Sequence, residues 1–224
     1  MTVPIPSAKP DTSPRPVTYE ELLRGDSAYS LHEAEAYFGG RLQAKESALR
    51  LGRRLERIGV PYAVIGAVAM NAHKYERFTV DLDLIVRRES IPVIHEALVG
   101  LGYVLRFAGS KNLIDTENRV RIDLVIAGGF PGDGLPKPID FPDPGQGTVV
   151  IEGIHYVTLE KLIELKLASG ITRPTRLSDL GDVQKMIHVL KLPREFGDRL
   201  HPYVRSKFDE FWVAMDADEL KDEF

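Results

Sequence analysis

The sequence has 224 residues, of which 43% are hydrophobic and 28% charged, as expected of a globular protein that can bury a core. It contains no cysteine, which excludes disulfide bonds, thiolate zinc sites and cysteine nucleophiles. The formal net charge of −4 disfavours a general nucleic-acid coat, so any contact with nucleic acid is expected to be local.

The N-terminal segment is rich in proline, with five among the first sixteen residues, which predicts an extended, poorly ordered tail over residues 1–17. It lacks the apolar core of a signal peptide. No apolar run in the chain reaches the roughly 18 residues that a membrane-spanning helix needs. We therefore expect a cytoplasmic protein that makes no membrane contact.

Helical patterns follow the tail. Capping-box spacing at Thr18 and Ser30 predicts two short helices, the second ended by the Gly39–Gly40 pair. A longer helix is expected over residues 41–58, where apolar residues recur at steps of three and four. Its other face carries an arginine stripe, which we interpret as solvated surface in preference to a nucleic-acid contact. The stripe consists of Arg50, Arg53, Arg54 and Arg57.

The middle of the chain is strand-rich and the C-terminal part is helical. Strands are predicted over residues 61–65, 79–86, 103–107, 112–116, 120–126, 148–151 and 154–157. Helices are predicted over residues 67–74, 91–101, 159–169 and 179–190, and from 203 to beyond 215. This order predicts an α/β (α+β) catalytic core of a mixed sheet flanked by helices over residues 18–157, and a helical region over residues 158–224. The Gly-, Pro- and Asp-rich residues 127–147 are predicted to form a loop, of a length that is often functional or mobile. Within it Gly128–Gly134 lacks the ending of a P-loop and is interpreted as a flexible connection.

Carboxylates at alternate strand positions are the main chemical signal. Thr79, Asp81 and Asp83 would share one face of a strand, because residues two apart point the same way. Asp123 stands on the polar face of a later, otherwise apolar strand. If the two strands pair, three carboxylates converge, and their repulsion would be relieved by a divalent cation such as Mg²⁺ or Mn²⁺.

Two stretches carry a family resemblance. The first, GAVAMNAHKYERFTVDLDL followed by RIDLVIA, resembles the nucleotidyltransferase superfamily with the DNA polymerase β-like fold. The second, KLIELKLASGITRPTRLSDLGDVQKMI, is similar to the C-terminal motifs of the AbiEii/AbiGii toxin-type bacterial nucleotidyltransferases. The resemblance covers about residues 60 to 190 and implies a polymerase β-like core.

The resemblance implies roles for individual residues. Asp81 and Asp83 would bind two metal ions, and Asp123 would bind the catalytic ion and help to deprotonate the acceptor hydroxyl. The remaining residues would hold the nucleotide: Gly66 and the Ala67 backbone N–H around the triphosphate, Thr79 beside them, Lys166 as a catalytic cation that neutralises the phosphates, and Arg176, Asp179 and Asp182 along the nucleotide side of the cleft.

Two positions depart from the family pattern. Ala67 stands where the family usually has Gly or Ser, which removes a hydroxyl contact and is expected to weaken nucleotide binding. Ser178 stands where the toxin-type pattern commonly has Lys, which leaves one fewer positive charge near the triphosphate.

The resemblance also implies a reaction, in which a nucleoside triphosphate such as ATP gives its nucleotidyl group to an acceptor hydroxyl and releases pyrophosphate. The toxin-type motifs favour an RNA or tRNA 3′ end as acceptor and a cognate antitoxin as partner. Protein AMPylation is the first alternative and a small molecule such as an aminoglycoside the second. A degenerate nucleotide-binding or partner-binding module without catalysis, or an antitoxin-like protein, stays open.

Each candidate residue also has a purely structural interpretation. Asp81 and Asp83 could face solvent on an edge strand, and Asp123 could be an ion-pair partner of Arg121. Lys166 could lie on the surface of its helix, and Asp179 could stabilise a helix N-terminus. His73, a lone histidine near the proposed cleft, is interpreted as structural.

Overall fold

The computed structural model describes the backbone of residues 27–222 and the side chains of residues 42–215. The expected tail and the short helix expected at Thr18 lie outside the described residues. Contacts divide the chain into Met1–Gly39 and Gly40–Phe224. The candidate site belongs to the second unit.

The helices and strands alternate in the middle of the chain. The helices are α1 (Ser27–Arg57), α2 (Gly66–Ala72), α3 (Ser90–Leu98), α4 (Leu159–Thr172), α5 (Leu177–Val189) and α6 (Pro202–Asp222). The strands are β1 (Tyr62–Ile65), β2 (Asp81–Val86), β3 (Tyr103–Leu105), β4 (Leu113–Asp115), β5 (Val120–Ile126), β6 (Thr148–Ile151) and β7 (Ile154–Val157). Short 3₁₀ turns occupy Pro174–Arg176 and Arg194–Arg199.

All seven strands belong to one mixed sheet in the order β3-β4-β5-β2-β1-β7-β6. The β2–β5 and β1–β7 pairs are parallel, and the other neighbouring pairs are antiparallel. The predicted fold class, a mixed sheet flanked by helices, is confirmed. β2 is therefore an interior strand, so the interpretation of Asp81 and Asp83 as residues of an edge strand is wrong.

The central strands have one apolar and one charged face. Leu82 and Leu84 of β2 are buried, as are Ile122 and Leu124 of β5. Because neighbours in a ladder point to the same side, the intervening residues share the opposite face. That charged face carries the candidate carboxylates.

The helix break expected at Gly39–Gly40 is wrong, because α1 is continuous from Ser27 to Arg57. Each glycine inside a helix costs about 1 kcal/mol relative to alanine, which neighbouring helix formers can offset. The buried stripe of α1 lies on its C-terminal half, where Ala44, Ala48, Leu51 and Leu55 join the core.

The helices α4, α5 and α6 pack against one another. The α4 helix begins after Thr158, whose hydroxyl accepts a hydrogen bond from the Lys161 backbone N–H at 3.3 Å. Its interior is buried over Leu162 to Gly170. The proposed division of the chain at residue 157 stays a prediction. Within residues 27–222, no helix combines the length and apolar character that a membrane span requires.

Candidate active site

The pairing of β2 with β5 sets the arrangement of the carboxylates. In this parallel ladder Asp83 lies directly opposite Asp123, and Asp81 lies opposite Arg121. Asp81 precedes Asp83 by two residues and therefore points to the same face of the sheet. The structure thus places all three predicted aspartates on one face of two adjacent strands.

A glycine turn lies against Asp83. The last residue of β1, Ile65, pairs with Asp83, and Gly66 follows at once with a φ of +67°. A Cβ atom on Gly66 would lie 2.3 Å from Oδ2 of Asp83. Glycine is therefore required here both by the backbone conformation and by the closeness of the carboxylate.

The surroundings of Asp83 disfavour the ionised form of its carboxyl group. Burial, and after it the charges of Asp123 and Asp81, raise the pKa of its carboxyl to about 6, against the opposing effect of Lys166 and Arg176. A bound cation would remove this penalty. Positive charge is therefore favoured beside Asp83.

Asp81 is held by Arg121 through two hydrogen bonds. Nε of Arg121 lies 2.6 Å from Oδ1 of Asp81, and Nη2 lies 3.0 Å from Oδ2. The sequence left open that Arg121 might pair with Asp123, but the guanidinium engages both oxygens of Asp81 instead. The bonds raise the pKa of Arg121.

Asp123 is held on its other side by residues that precede β4. Nδ2 of Asn112 donates to Oδ1 of Asp123 at 2.5 Å, and Nη1 of Arg106 lies 3.3 Å from the same oxygen. The sequence analysis missed both residues. No periodicity points to them, because they lie between two short strands.

The donor set suits a divalent cation by its chemistry, since carboxylate oxygens are the ligands that Mg²⁺ and Mn²⁺ prefer. Asp83 and Asp123 are ladder neighbours, and the pKa of Asp83 reflects their mutual repulsion. Among the side chains of residues 42–215, however, no three His, Asp or Glu groups have the arrangement of a metal site. Asp81 is turned to Arg121 and Asp123 to Asn112.

The C-terminal motif forms a buried ion cluster around Lys166 of α4. Its Nζ lies 2.9 Å from Oδ1 of Asp179 and 2.9 Å from Oδ2 of Asp182. Asp179 also accepts from Ser169 at 2.7 Å, and Asp182 pairs with Arg77 at 3.0 Å. With a relative exposure of 9%, Lys166 is not the surface residue that the structural interpretation supposed.

A cleft of about 180 Å³ joins the two motifs. Its polar wall contains Gly66, Asp83, Lys166, Arg176 and Asp179, from the start of α2, from β2 and from the C-terminal helices with their 3₁₀ turn. Its apolar wall includes Ile65, Val125, Phe141, Leu162 and Leu165. Residues that are 100 positions apart in the sequence therefore line one site.

The loop 127–147 contributes Pro131, Gly132 and Phe141 to the lining of this cleft, and two parts of it are bonded to each other. The flexibility expected of Gly128–Gly134 stays a prediction. The N–H groups of Gly128 and Phe141 donate to the carbonyls of Phe141 and Gly129, each at 2.8 Å. The ammonium of Lys137 binds the carbonyls of Pro131 and Leu135, also at 2.8 Å. Composition does not predict these contacts, because they are made by one lysine side chain and by backbone groups.

Three predicted nucleotide-site residues lie apart from the cleft lining: Ala67, Thr79 and Asp182, the last of which is held in the ion cluster of Lys166. Thr79 precedes β2, which begins at Asp81 and not at residue 79 as expected, and its hydroxyl bonds the Asp81 backbone at 2.9 and 3.1 Å. The strand starts later because Thr79 forms this local turn. Ala67 is the second residue of the seven-residue helix α2 and is partly buried.

His73 and the arginine stripe have structural contacts. Nε2 of His73 lies 2.8 Å from the Val157 carbonyl oxygen. Arg50 pairs with Asp115 and Glu117, and Arg54 donates to the Leu101 carbonyl at 2.6 Å. Asp115 opposes Val120 in the β4–β5 ladder and so faces away from Asp123. Arg50 therefore lies on the other side of the sheet from Asp123.

Comparison with solved structures finds chains of low sequence identity and low TM-score. JHP933 from Helicobacter pylori shares 17% identity, with 78% of this chain and 77% of that chain covered and a TM-score of 0.43. A candidate nucleotidyltransferase from H. pylori shares 18% over 76% and 81% of the two chains, with a TM-score of 0.39. The antibiotic-resistance factor ANT(2'')-Ia shares 14% over 85% and 98%, with a TM-score of 0.42.

No protein-family model matches the chain, and no curated protein sequence matches it. Function is therefore inferred from the geometry of the chain's own residues.

Proposed function

We propose that the protein is a metal-dependent nucleotidyltransferase, which transfers the NMP group of a nucleoside triphosphate to an acceptor hydroxyl. The observation that carries the proposal is the single cleft lined by Gly66, Asp83, Lys166, Arg176 and Asp179. A glycine turn, carboxylates and cations that line one cleft are what phosphoryl-group transfer needs, because its catalysis is mostly positioning and charge stabilisation. Of the three candidate metal ligands Asp83 lines the cleft, and Asp123 is its neighbour in the β2–β5 ladder.

The carboxylates would carry the chemical step. Asp81, Asp83 and Asp123 would hold Mg²⁺ or Mn²⁺, which when bound neutralises charge on the reacting phosphates and on pyrophosphate. The acceptor oxygen forms a bond to the α-phosphorus, and the bond from that phosphorus to the α–β bridging oxygen breaks. Pyrophosphate leaves with the electron pair, and Asp123 takes the acceptor's proton.

The cations of the cleft have different roles. Arg176 is exposed and forms no ion pair with the described residues, so its guanidinium is available to the triphosphate. Lys166 is shared by Asp179 and Asp182, so it holds these two carboxylates in place while adding positive potential to the cleft. The Gly66–Ala67 turn lets the phosphates approach the backbone next to Asp83.

We further propose which molecule supplies the acceptor hydroxyl. The toxin-type motif supports an RNA or tRNA 3′ end, and with it a cytoplasmic toxin that a cognate antitoxin restrains. A protein hydroxyl is the other acceptor to test, because the same cleft chemistry serves AMPylation.

A second candidate function is a nucleotide-binding module without catalysis. The observation that favours it is the pairing of Asp81 with Arg121, which occupies both oxygens of one proposed metal ligand. Such a module would bind a triphosphate or a partner protein without releasing pyrophosphate.

The deciding experiment measures pyrophosphate release and label transfer from each α-³²P-labelled nucleoside triphosphate, with Mg²⁺ and total bacterial RNA. The Asp81→Ala/Asp83→Ala double variant is run beside the wild type. Asp198→Ala, which removes an exposed carboxylate in the Arg194–Arg199 turn, is the matched control and should behave as the wild type.

Label on RNA from the wild type and the control, but not from the double variant, would establish the enzyme and its base preference. Label on protein alone would point to AMPylation. Triphosphate binding without pyrophosphate or label would favour the non-catalytic module, and neither binding nor turnover would overturn the proposal.

A further inference from the structure

The β4–β5 pairing ends close to Asp123. The ladder runs from Asp115 opposite Val120 to Leu113 opposite Ile122, so it stops one residue before Asp123. Beyond that point, side chains replace the neighbouring strand. Oδ1 of Asn112 accepts from the Leu124 backbone N–H at 2.9 Å, and Lys111 donates to the Leu124 carbonyl.

The orientation of the Asn112 amide follows from this bond. A backbone N–H can only donate, so the atom facing Leu124 must be the amide oxygen. Nδ2 therefore faces Asp123, where it donates to Oδ1 at 2.5 Å. One amide group thus accepts a hydrogen bond from the backbone of Leu124 and donates one to the carboxylate of Asp123, the residue before it.

A second donor comes from the same segment. Nη1 of Arg106 lies 3.3 Å from the same Oδ1 of Asp123, and the Arg106 N–H donates to the Asn112 carbonyl at 3.0 Å. The Asn112 N–H in turn donates to the hydroxyl of the buried Ser110 at 3.0 Å. The segment between β3 and β4 is therefore internally tied around the Asn112 amide.

These bonds leave the Asp123 carboxylate asymmetric. Both donors engage Oδ1, and Oδ2 has no hydrogen-bond donor within the described residues. Asp83 is the ladder neighbour of Asp123, and both side chains lie on the charged face of the sheet. Oδ2 of Asp123 is therefore the oxygen of this carboxylate that is left for a ligand on that face.

We infer that Asn112 is a positioning residue, which fixes Oδ1 of Asp123 so that Oδ2 is presented to the metal ion and the acceptor hydroxyl. The inference rests on the proposed function and assigns a role to a residue outside the aspartate motif. Partners that orient a ligating carboxylate commonly change metal affinity or activity by about 10- to 100-fold when removed.

Two substitutions separate positioning from simple support of β5. Asn112→Asp keeps the size and an acceptor for the Leu124 N–H but replaces the donor to Asp123 by a repelling oxygen. Asn112→Leu removes both bonds. Positioning predicts that kcat falls by about 10- to 100-fold in both variants while KM for the triphosphate stays within a few-fold. A supporting role alone predicts a wild-type kcat for Asn112→Asp.

Mn²⁺ binding, followed by calorimetry, gives a readout that does not need turnover. The Kd of Asn112→Leu should rise by about 10- to 100-fold. Asn118→Leu is the control, since Asn118 makes the same kind of contact, Nδ2 to Oδ2 of Asp115 at 3.2 Å, on the opposite face of the sheet. Its Mn²⁺ affinity should match the wild type.

A wild-type kcat in Asn112→Asp, an unchanged Kd in Asn112→Leu, or an equal loss of Mn²⁺ affinity in Asn118→Leu would overturn the inference and leave the proposed function standing. A wild-type protein that neither binds Mn²⁺ nor releases pyrophosphate would overturn both.

Discussion

Gly66, the first residue of α2, and Asp83 of β2 are adjacent in space, and a Cβ atom on Gly66 would lie 2.3 Å from Oδ2 of Asp83. The atom that such a Cβ would meet is the end of a short side chain, which can rotate away. A substitution at residue 66 would therefore displace the carboxylate more readily than the backbone.

Gly66→Ala should lose divalent-cation binding while staying folded. The φ of +67° costs about 1–2 kcal/mol for a residue with a Cβ, and the Asp83 carboxylate must leave its present position to make room. We expect Mn²⁺ affinity to fall by at least about 10-fold, as for loss of a metal ligand's orientation. Calorimetric titration with Mn²⁺ and a thermal melt measure the two effects.

Gly59→Ala is the matched control. Gly59 has a φ of +69°, and no atom lies within 4 Å of the position its Cβ would take. It should lose the same stability as Gly66→Ala and keep wild-type Mn²⁺ affinity. Equal affinities in the two variants would show that the closeness of Asp83 to Gly66 has no functional consequence.

Asp83→Asn should stabilise the metal-free protein although it abolishes activity. Because its folded-state pKa is raised to about 6, the carboxylate is ionised at pH 7.5 but its charge is less favourable in the native state than in the unfolded state. Replacing it by a neutral amide should raise the free energy of unfolding by about 1–3 kcal/mol at pH 7.5. Urea unfolding in EDTA measures this difference.

The difference in unfolding free energy between the wild type and Asp83→Asn should depend on pH. Because the folded-state pKa is raised, the native state binds the proton more tightly than the unfolded state, whose pKa is near 3.8. The wild type should therefore lose stability relative to Asp83→Asn as pH rises from about 4 to 6, with no further change above pH 7. A stability difference that is constant from pH 4 to 7.5 would contradict this explanation.

The carboxylate face was accessible to sequence reasoning because strands have a fixed period. The alternation in β2 and β5 places Asp81, Asp83 and Asp123 on faces opposite to their apolar neighbours whichever strands pair. The parallel register that puts Asp83 opposite Asp123 was a supposition, since nothing local in the sequence specifies which residues of two strands meet.

The residues that hold the carboxylates were not accessible in this way. Asn112 reaches Asp123 only because the β4–β5 ladder stops at Ile122, and the end of a ladder depends on tertiary structure. The contacts of segment 127–147 were hidden similarly, because glycine and proline indicate turns but do not say what the turns pack against.

Lys166→Met should destabilise the fold strongly. The ammonium group lies 2.9 Å from both Asp179 and Asp182, so its removal leaves two carboxylates facing each other in a largely buried place. Breaking a buried pair by removing one partner costs about 3–5 kcal/mol. Lys185→Met changes an exposed lysine of α5 and should stay within about 0.5 kcal/mol of the wild type.

Chemical denaturation of the two lysine variants distinguishes the roles assigned to Lys166. A large loss in Lys166→Met alone supports its part in holding the two aspartates. If instead the variant is as stable as the wild type but binds triphosphate weakly, Lys166 acts directly on the phosphates.

Arg121→Gln should strengthen divalent-cation binding. The Arg121 guanidinium engages both oxygens of Asp81 at 2.6 and 3.0 Å, so it competes with a metal ion for one of the three proposed ligands. Its positive charge also lies beside the site and repels a cation. Since the pair is partly exposed, its loss is worth about 1 kcal/mol or less, and we expect the Kd for Mn²⁺ to fall by about 3- to 5-fold.

Arg87→Gln provides the comparison for this prediction, because Arg87 makes the same two-bond pair with Asp143, at 2.8 Å for each bond, beyond the end of β2. It removes one positive charge without freeing a proposed ligand, so its Mn²⁺ affinity should equal that of the wild type. Weaker Mn²⁺ binding in Arg121→Gln would mean that Arg121 orients Asp81 for the metal ion. Equal tightening in both arginine variants would mean that net charge alone sets the affinity.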